Sequence, residues 1–306
     1  MPTVGLALGG GGARGLVHLG VIKVLEEENI PIDIICGTSM GAIIGAIYAQ
    51  RANIADTIDV VESYLNTGKC DDLDISGINE NEASEPKPLH RLAKTLAKRI
   101  YTMSMASRRS FLKSDVLNEA LDFLLKDGNI EDTHIPFGAV ATDLNSGKAV
   151  LIRKGSIKKA VRQSALVPGF LPPEEDGPSL MADGGITQLV PVENTREMGA
   201  DIVIAVSANP STLPPLNDKT MISIIERCQI IVGLELSRLQ AEKADILIKP
   251  DLAYIHWTKF SNHKYLIETG MDAAKEKLPQ VKELIRRKRS WVSRALSFIK
   301  YSRSSR

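Results

Sequence analysis

The chain has 306 residues, of which 43% are hydrophobic and 25% are charged, as in an ordinary globular protein. Its length fits one large α/β domain as well as two smaller ones. The net charge is +1, but residues 282–306 hold nine Lys or Arg and one acid, which leaves −7 on residues 1–281. This acidic body argues against a nucleic-acid partner, and the basic end fits an anionic membrane surface.

Three cysteines, Cys36, Cys70 and Cys228, form neither a C-x-x-C pair nor a zinc-binding spacing, so we expect a reducing compartment. The first residues lack a basic segment and pass directly into glycines, which is typical of a first strand rather than a secretory leader. No apolar run approaches the ~20 residues that a membrane span needs. We therefore expect a cytoplasmic protein that can be peripheral to the inner face of the membrane.

The predicted elements begin with a strand–helix alternation. Apolar periodicity predicts strands at 4–8 and 31–36 and helices at 14–28, 40–50 and 54–65. Strands joined through helices in this way run parallel, with right-handed crossovers. Residues 66–88 are polar and rich in turn formers, as in a long loop. An amphipathic helix is expected at 89–103.

The rest of the chain continues the alternation. Ser114 is placed to cap the next helix, and NSGK at 145–148 predicts a hairpin. The run DIVIAVS at 201–207 is typical of a central parallel strand. The further predictions are strands at 135–142, 148–153 and 245–249, and helices at 115–125, 157–165, 220–241, 262–277 and 279–300.

Residues 37–41 read Gly-Thr-Ser-Met-Gly and lie between two apolar runs. A G-x-S-x-G sequence between a strand and a helix presents its serine on a sharp turn, where the hydroxyl can attack an ester or amide carbonyl. Gly37 and Gly41 would form this nucleophile elbow, and Ser39 is the candidate nucleophile. In the alternative interpretation, Thr38 or Ser39 only caps the helix.

A glycine-rich segment, GGGGARG at 9–15, lies upstream between the first strand and the first helix. Glycines let backbone N–H groups approach a substrate oxygen, as in an oxyanion hole, and Arg14 could add positive charge. The segment also satisfies G-x-G-x-x-G, which indicates a dinucleotide-binding turn with Asp33 as its acid. A tight turn without chemistry is the third interpretation. The candidate oxyanion donors are Gly10, Gly11 and Gly12.

A candidate acid, Asp183, lies in an Asp-Gly-Gly sequence between apolar residues, although such a sequence alone is usually a turn. The order Ser39, Asp183, then His256 or His263 would match an α/β-hydrolase triad, but the nucleophile would then follow only two strands. His18 is expected to be packed or solvated. The sequence contains no H-E-x-x-H, EF-hand or P-loop pattern, so neither a metal nor a nucleotide cofactor is indicated.

Taken together, the blocks 10–15, 37–41 and 183–185 resemble those of the patatin-like phospholipases, including the bacterial members and the neuropathy-target-esterase branch. Similar stretches are GLALGGGG at 5–12, VATDLNSG at 140–147, AVRQSALVPGFLPP at 160–173 and the segment 183–207. The resemblance covers residues 3 to 207, except that 66–130 carry it poorly.

The resemblance implies a three-layer α/β/α sandwich with a mainly parallel central sheet, formed by residues 3–250 with a variable insertion at 66–113 that shapes or covers the acyl pocket. It implies a dyad with Ser39 as nucleophile and Asp183 as base, an oxyanion hole at Gly10–Gly12 supported by Arg14, and no cofactor. The implied substrates are carboxyl esters of lipids, such as phospholipids, lysophospholipids or acylglycerols. Because an ordinary aspartate is a weak base, we expect Asp183 to be desolvated beside Ser39, which would raise its pKa.

The end of the chain, 251–306, is predicted to be a helical extension that finishes in a basic amphipathic helix. The residues of its apolar face are Trp291, Val292, Ala295, Leu296, Phe298 and Ile299. Residues 285–300 then either anchor the protein to an anionic membrane or dock on its own surface. Two other functional classes stay open: a membrane-associated regulatory protein that keeps the fold with little catalysis, and a nucleotide-dependent oxidoreductase.

Overall fold

In this computed structural model, the described residues are 2–70, 114–217, 219–252 and 255–304. The strands are β1 Val4–Leu8, β2 Ile34–Thr38, β3 Phe137–Asp143, β4 Lys148–Ile152, β5 Glu174–Asp176, β6 Ser179–Asp183, β7 Ile202–Val206 and β8 Ile246–Ile248. The helices are α1 Val17–Glu27, α2 Met40–Arg51, α3 Ile54–Leu65, α4 Ser114–Leu124, α5 Ile157–Ser164, α6 Val192–Glu197, α7 Met221–Ala241 and α8 His263–Ser304.

The described strands form one mixed sheet in the order β5-β6-β3-β2-β1-β7-β8, and β4 pairs with β3. The five strands from β3 to β8 in that order are parallel, whereas β4, β5 and β6 pair antiparallel. The α/β fold class is therefore confirmed, with parallel strands from β3 to the β8 edge and antiparallel strands towards the β5 edge.

Helices cover both faces of the sheet. In β1, Leu6 and Leu8 belong to the larger core with α1, α2, α3 and α8, while Ala7 belongs to a smaller core with α6 and the end of α7. This alternation follows from the two-residue period of a strand. The sandwich is therefore three layers thick, and the parallel strands carry no polar face.

Most predicted elements are confirmed with boundary shifts of one to three residues. The first helix begins as a 3-10 turn at Gly12–Leu16, and β2 ends at Thr38, two residues later than predicted. The strands β5 and β6 and the helix α6 were not predicted. The helix predicted at 89–103 and most of the predicted insertion lie outside the described residues.

The prediction of two separate C-terminal helices is wrong, because α8 is continuous and contains Pro279. A proline removes one helical hydrogen bond and usually kinks or breaks a helix. Here the helix is held on both sides of Pro279, since Leu266 and Ala274 before it and Val281 and Ile285 after it are packed in the core. The predicted interfacial face from Trp291 to Ile299 consists of side chains outside the described ones. Within the described ranges, no helix is long and apolar enough to cross a membrane.

Candidate active site

Ser39 occupies a strained turn between β2 and α2. Its backbone has φ 54° and ψ −123°, in a region that residues other than glycine rarely adopt. A Cβ on Gly37 would lie 2.4 Å from the Gly41 carbonyl oxygen, and one on Gly41 would lie 2.2 Å from that of Leu8. The two glycines are therefore required by close backbone contacts, as in a nucleophile elbow.

The Ser39 side chain takes no part in capping the helix. It sits at the N-cap position of α2, yet its hydroxyl makes no capping hydrogen bond. Its backbone carbonyl instead accepts the N–H groups of Ala42 and Ile43, and its N–H donates to Oγ of Ser164 at 3.0 Å. The hydroxyl is therefore not used for capping, and it lies at the amino end of a helix, where free N–H groups favour a developing negative charge.

The pairing along β3 brings Asp183 next to the elbow. On one edge of β3, Val140 is opposite Thr38 of β2, and the next residue, Ala141, is opposite Asp183 of β6. The other edge of β3 is filled by β4 over the same residues. Because β2 and β6 meet end to end on one edge of β3, Ser39 and Asp183 come together.

Asp183 is buried, with 5% of its surface exposed. Its Oδ1 accepts the N–H of Gly185 at 2.7 Å, and its Oδ2 has no hydrogen-bond partner. Burial raises the pKa of this carboxyl to about 6, against smaller lowering effects of the nearby Ser39 hydroxyl and of the Gly185 N–H. The Ser39 hydroxyl thus lies close enough to the Asp183 carboxyl to act on its pKa.

Side chains from distant elements hold the loop that follows Asp183. Thr38 Oγ1 donates to the carbonyl of Gln188 at 2.8 Å. Gln240, near the end of α7, brackets the same loop: its Nε2 donates to the Thr187 carbonyl, and its Oε1 accepts the Val190 N–H. The position of the acid therefore depends on hydrogen bonds from two other elements.

Backbone hydrogen bonds also hold the glycine-rich segment in place. Its N–H groups donate to the carbonyls of three separate loops and strands: Gly9 to Val206, Gly10 to Leu189 and Ala13 to Trp257. Within the described part of the chain, Gly11 and Gly12 donate no such bond. They precede or begin a 3-10 turn, whose first N–H groups lack helical partners. The segment thus has two candidate oxyanion donors, and it borders the elbow, since a Cβ on Gly10 would lie 3.2 Å from that of Ser39.

Two basic side chains form hydrogen bonds to backbone carbonyls of this segment. Arg14 donates from Nε to the Gly11 carbonyl at 3.2 Å. His18 is fully buried, and burial lowers its pKa to about 4, so the ring is neutral at pH 7. Its Nε2 lies 2.7 Å from the Gly9 carbonyl oxygen and therefore donates to it. His18 is thus a packed residue, as one of the two sequence interpretations had it.

The geometry disfavours the two alternatives to a dyad. Among the described contacts of Asp183 none involves a histidine, and Nδ1 of His256 lies 2.7 Å from Thr258 Oγ1. Asp33 lies at the amino ends of β1 and β2, where its carboxylate accepts the N–H of Val4, whereas the glycine segment follows the carboxyl end of β1, so Asp33 cannot reach a ribose held there. The residues that the structure describes contain no group of three His, Cys, Asp or Glu side chains able to hold a metal ion.

An apolar cavity of about 120 Å³ opens beside the elbow within the described residues. Met40, the residue after Ser39, lines it, and so do side chains of α2, α3 and α4. The other residues of its wall are Leu16, Ile43, Ile44, Val61, Tyr64, Leu65, Cys70, Val116, Leu117, Ala120, Leu124, Phe170, Leu171 and Phe260. Such a wall offers almost no hydrogen-bonding groups and suits an alkyl chain.

The family model for patatin-like phospholipases matches residues 6–195, more than half of the chain. The chain belongs to the patatin-like phospholipase family. An uncharacterized NTE family protein of Mycobacterium tuberculosis is 33% identical over 220 residues, which are 71% of this chain and 52% of that protein. The patatin-like chain thus spans about half the length of this relative.

Two eukaryotic members match over a smaller share of their length. Human patatin-like phospholipase domain-containing protein 6 is 32% identical over 67% of this chain and 13% of that protein. Lysophospholipase nte1 of Aspergillus fumigatus is 35% identical over 67% of this chain and 12% of its own length. The solved structure of VipD from Legionella pneumophila has a TM-score of 0.47 and 15% identity over 91% of this chain and 67% of that one. A structural likeness at that level carries no functional information.

Some residues that support this patatin-like site were not singled out from the sequence. Ser164 lies in a stretch that resembles the family, AVRQSALVPGFLPP, but no role was predicted for it. Gln240 and Trp257 lie beyond residue 215, where the resemblance fades, so no pattern pointed to them. Because each acts through a contact across the fold, only the folded chain reveals it.

Proposed function

We propose that this protein is a serine acyl hydrolase that cleaves carboxyl esters of lipids with Ser39 as nucleophile and Asp183 as base. The observation that carries the proposal is the end-to-end meeting of β2 and β6 on β3, which juxtaposes a strained serine and a buried carboxylate. The family membership supports the same reaction class.

The reaction has two acyl-transfer steps. The Asp183 carboxylate takes the hydroxyl proton as Ser39 Oγ attacks the ester carbonyl. The tetrahedral intermediate collapses by breaking the C–O bond to the alcohol, which leaves with the proton from Asp183. Water then attacks the acyl-serine and gives its proton to Asp183, and the fatty acid leaves as the serine oxygen recovers that proton.

Burial makes this base stronger. An aspartate with an ordinary pKa near 3.8 would hold the serine proton poorly, whereas desolvation raises the pKa of Asp183 to about 6. The carboxyl is then still mostly ionised at pH 7 and ready to accept a proton. The free Oδ2 gives it an acceptor site in the buried space.

The developing oxyanion is stabilised by N–H groups of Gly11 and Gly12. Gly10 belongs to the same turn, but its N–H already donates to Leu189, so its contribution is to bring the backbone close to Ser39. Arg14 supports the turn through the Gly11 carbonyl. Removal of one oxyanion donor typically costs about 2.7–4 kcal/mol of transition-state stabilisation.

The substrate class we propose is phospholipid or lysophospholipid. An acyl chain fits the apolar cavity beside Met40, and a relative of this chain carries the name lysophospholipase. We also propose a cytoplasmic enzyme that is peripheral to the membrane and held to an anionic surface by residues 285–300. A chain cut after residue 290 should then bind vesicles with phosphatidylserine less tightly, while unchanged vesicle binding would contradict this.

The test is fatty-acid release from lysophosphatidylcholine and phosphatidylcholine vesicles, with a short p-nitrophenyl ester as a soluble substrate. We expect wild type to release fatty acid and Ser39→Ala and Asp183→Ala to fall to background with unchanged circular dichroism. Thr57→Val, which changes a buried hydroxyl in α3 outside the site, should keep its activity. A wild type inactive on every ester would contradict the proposal and favour a regulatory protein.

A further inference from the structure

A three-residue turn at the end of α5 contacts both members of the dyad. Ser164, the last residue of α5, accepts the N–H of Ser39 at its Oγ over 3.0 Å. Two residues later, the carbonyl of Leu166 accepts the N–H of Asp183 over 2.9 Å. The two residues that react together are thus fixed, through their backbone, to neighbouring points of one short segment.

The Ser164 hydroxyl forms hydrogen bonds to two different elements. It is completely buried, and while it accepts from Ser39 it donates to the Val140 carbonyl at 2.6 Å. Val140 is the β3 residue opposite Thr38 and precedes Ala141, the residue opposite Asp183. With its O–H donor and one acceptor lone pair engaged, the hydroxyl joins the elbow to the strand on which the acid is aligned.

The helix that carries this turn is itself firmly held. Ser156 caps its first turn, and Ile157, Ala160 and Val161 are buried in the core. The next residues bond to β5, since Arg162 and Gln163 reach the side chains of that strand. A turn anchored in this way can impose a fixed position on the groups bonded to it.

We propose that Ser164, with the Leu166 carbonyl, is the positioning element that sets the separation of Ser39 and Asp183. The inference deepens the proposed function and rests on it for its kinetic readout. Without the Ser164 hydroxyl, the Ser39 N–H loses its partner and the strained φ of 54° has less to hold it. Ser39 then relaxes away from Asp183, and proton transfer slows because the reacting groups are misaligned.

The test compares Ser164→Ala, Ser164→Cys and Ser164→Thr on the p-nitrophenyl ester. Alanine removes both hydrogen bonds, cysteine fills the space with a weak hydrogen-bonding group, and threonine keeps the hydroxyl. We expect kcat to fall about 10- to 100-fold for alanine and cysteine with KM within twofold of wild type, and threonine to recover most of the loss. Thr57→Val is the matched control, because it also removes a buried hydroxyl hydrogen bond.

A kcat for Ser164→Ala within threefold of wild type, or an equal loss in Thr57→Val, would overturn the positioning role. So would a loss in alanine that cysteine restores, since volume and not hydrogen bonding would then matter. Crystal structures of wild type and Ser164→Ala provide a readout free of activity: we expect a changed Ser39 φ and a longer Ser39–Asp183 separation. If wild type cleaves no ester, the proposed function fails, and an unchanged elbow in the alanine structure separately overturns the positioning role.

Discussion

The turn that carries Ser39 and the loop that follows Asp183 are held by different physical means. The serine turn is fixed by contact, because Gly37 and Gly41 bring backbone against backbone with no room for a Cβ. The acid turn shares one such contact, since a Cβ on Gly184 would lie 2.0 Å from the Val140 carbonyl oxygen, but the loop that follows it is held by hydrogen bonds from Thr38 and Gln240. Main-chain atoms in steric contact leave almost no room for movement, whereas single hydrogen bonds contribute only about 0.5–1.5 kcal/mol each to stability. Substitutions at Gly37 and Gly41 should therefore be all-or-none, and the loss of a single hydrogen bond, to either segment, should be graded.

The largest effect is expected for Gly41→Ala. The new Cβ would lie 2.2 Å from the Leu8 carbonyl oxygen, so the elbow or β1 has to move. We expect esterase activity to fall to background and the free energy of unfolding to drop by about 3 kcal/mol. The control is Gly233→Ala, which meets no atom within 4 Å inside α7 and should slightly stabilise the protein. Retained activity in Gly41→Ala would break the contrast between the two turns.

The next largest effect concerns the charge on Asp183. Its folded pKa of about 6 exceeds the ordinary 3.8, so the native state binds this proton more tightly than the unfolded state does. This term favours the fold below pH 4, weakens between about pH 4 and 6, and above pH 6 leaves a charge burial cost of about 3 kcal/mol.

An uncharged amide at this position removes that cost. We expect Asp183→Asn to be more stable than wild type by about 1–3 kcal/mol at pH 8, with the difference shrinking towards pH 4. Urea unfolding at both pH values measures it. A variant that is equally destabilised at pH 8 and pH 4 would show that the Gly185 hydrogen bond, and not burial of the charge, dominates at this turn.

The same pKa predicts the acid limb of the rate profile. If Asp183 acts as the base in its ionised form, kcat/KM should decline about tenfold per pH unit below about pH 6. A stopped assay on a neutral p-nitrophenyl ester measures it, with the circular dichroism followed in parallel to exclude unfolding. A rate that stays level down to pH 4 contradicts a desolvated base.

The smallest effect is expected at Gln240. Gln240→Ala removes both hydrogen bonds to the loop after Asp183, and we expect kcat to fall about threefold to tenfold as the acid becomes less well held. Gln50→Ala is a matched control, because Gln50 brackets the N–H and the carbonyl of Lys126 in the same way far from the site. Equal kcat in the two variants would mean that the position of Asp183 does not depend on the two hydrogen bonds of Gln240.

The sequence predicted best the elements that are apolar along their whole length. The strand β7, with all five residues buried, is one such element, since a central parallel strand is covered on both faces. The strand β6, Ser179–Asp183, was missed because it is short and only partly buried, so its pairing with β3 and not its composition defines it. The same limit applies to α6 with its six residues.

The site shows the same division. The motifs were sufficient to identify Ser39 and Asp183 as candidates. The two residues lie 144 positions apart, and the strand register of β3 that brings them together could not be predicted from the sequence. The motif also treated Gly10, Gly11 and Gly12 alike, whereas the fold gives the Gly10 N–H to Leu189. Which N–H donor lacks a backbone partner depends on Leu189, 179 residues away, so a local sequence pattern does not predict it.

The glycine-rich segment at 9–15 can reach its final position only after the residues that hold it have been synthesised. The segment is synthesised before the residues whose carbonyls hold it, Leu189, Val206 and Trp257. Helix α1, whose His18 also holds it, packs through Gly20 against Ile267. At about 5–20 residues per second, translation separates these partners by roughly 9–50 s. A nascent chain therefore displays the complete serine motif for some time before the hydrolytic machinery around it can exist.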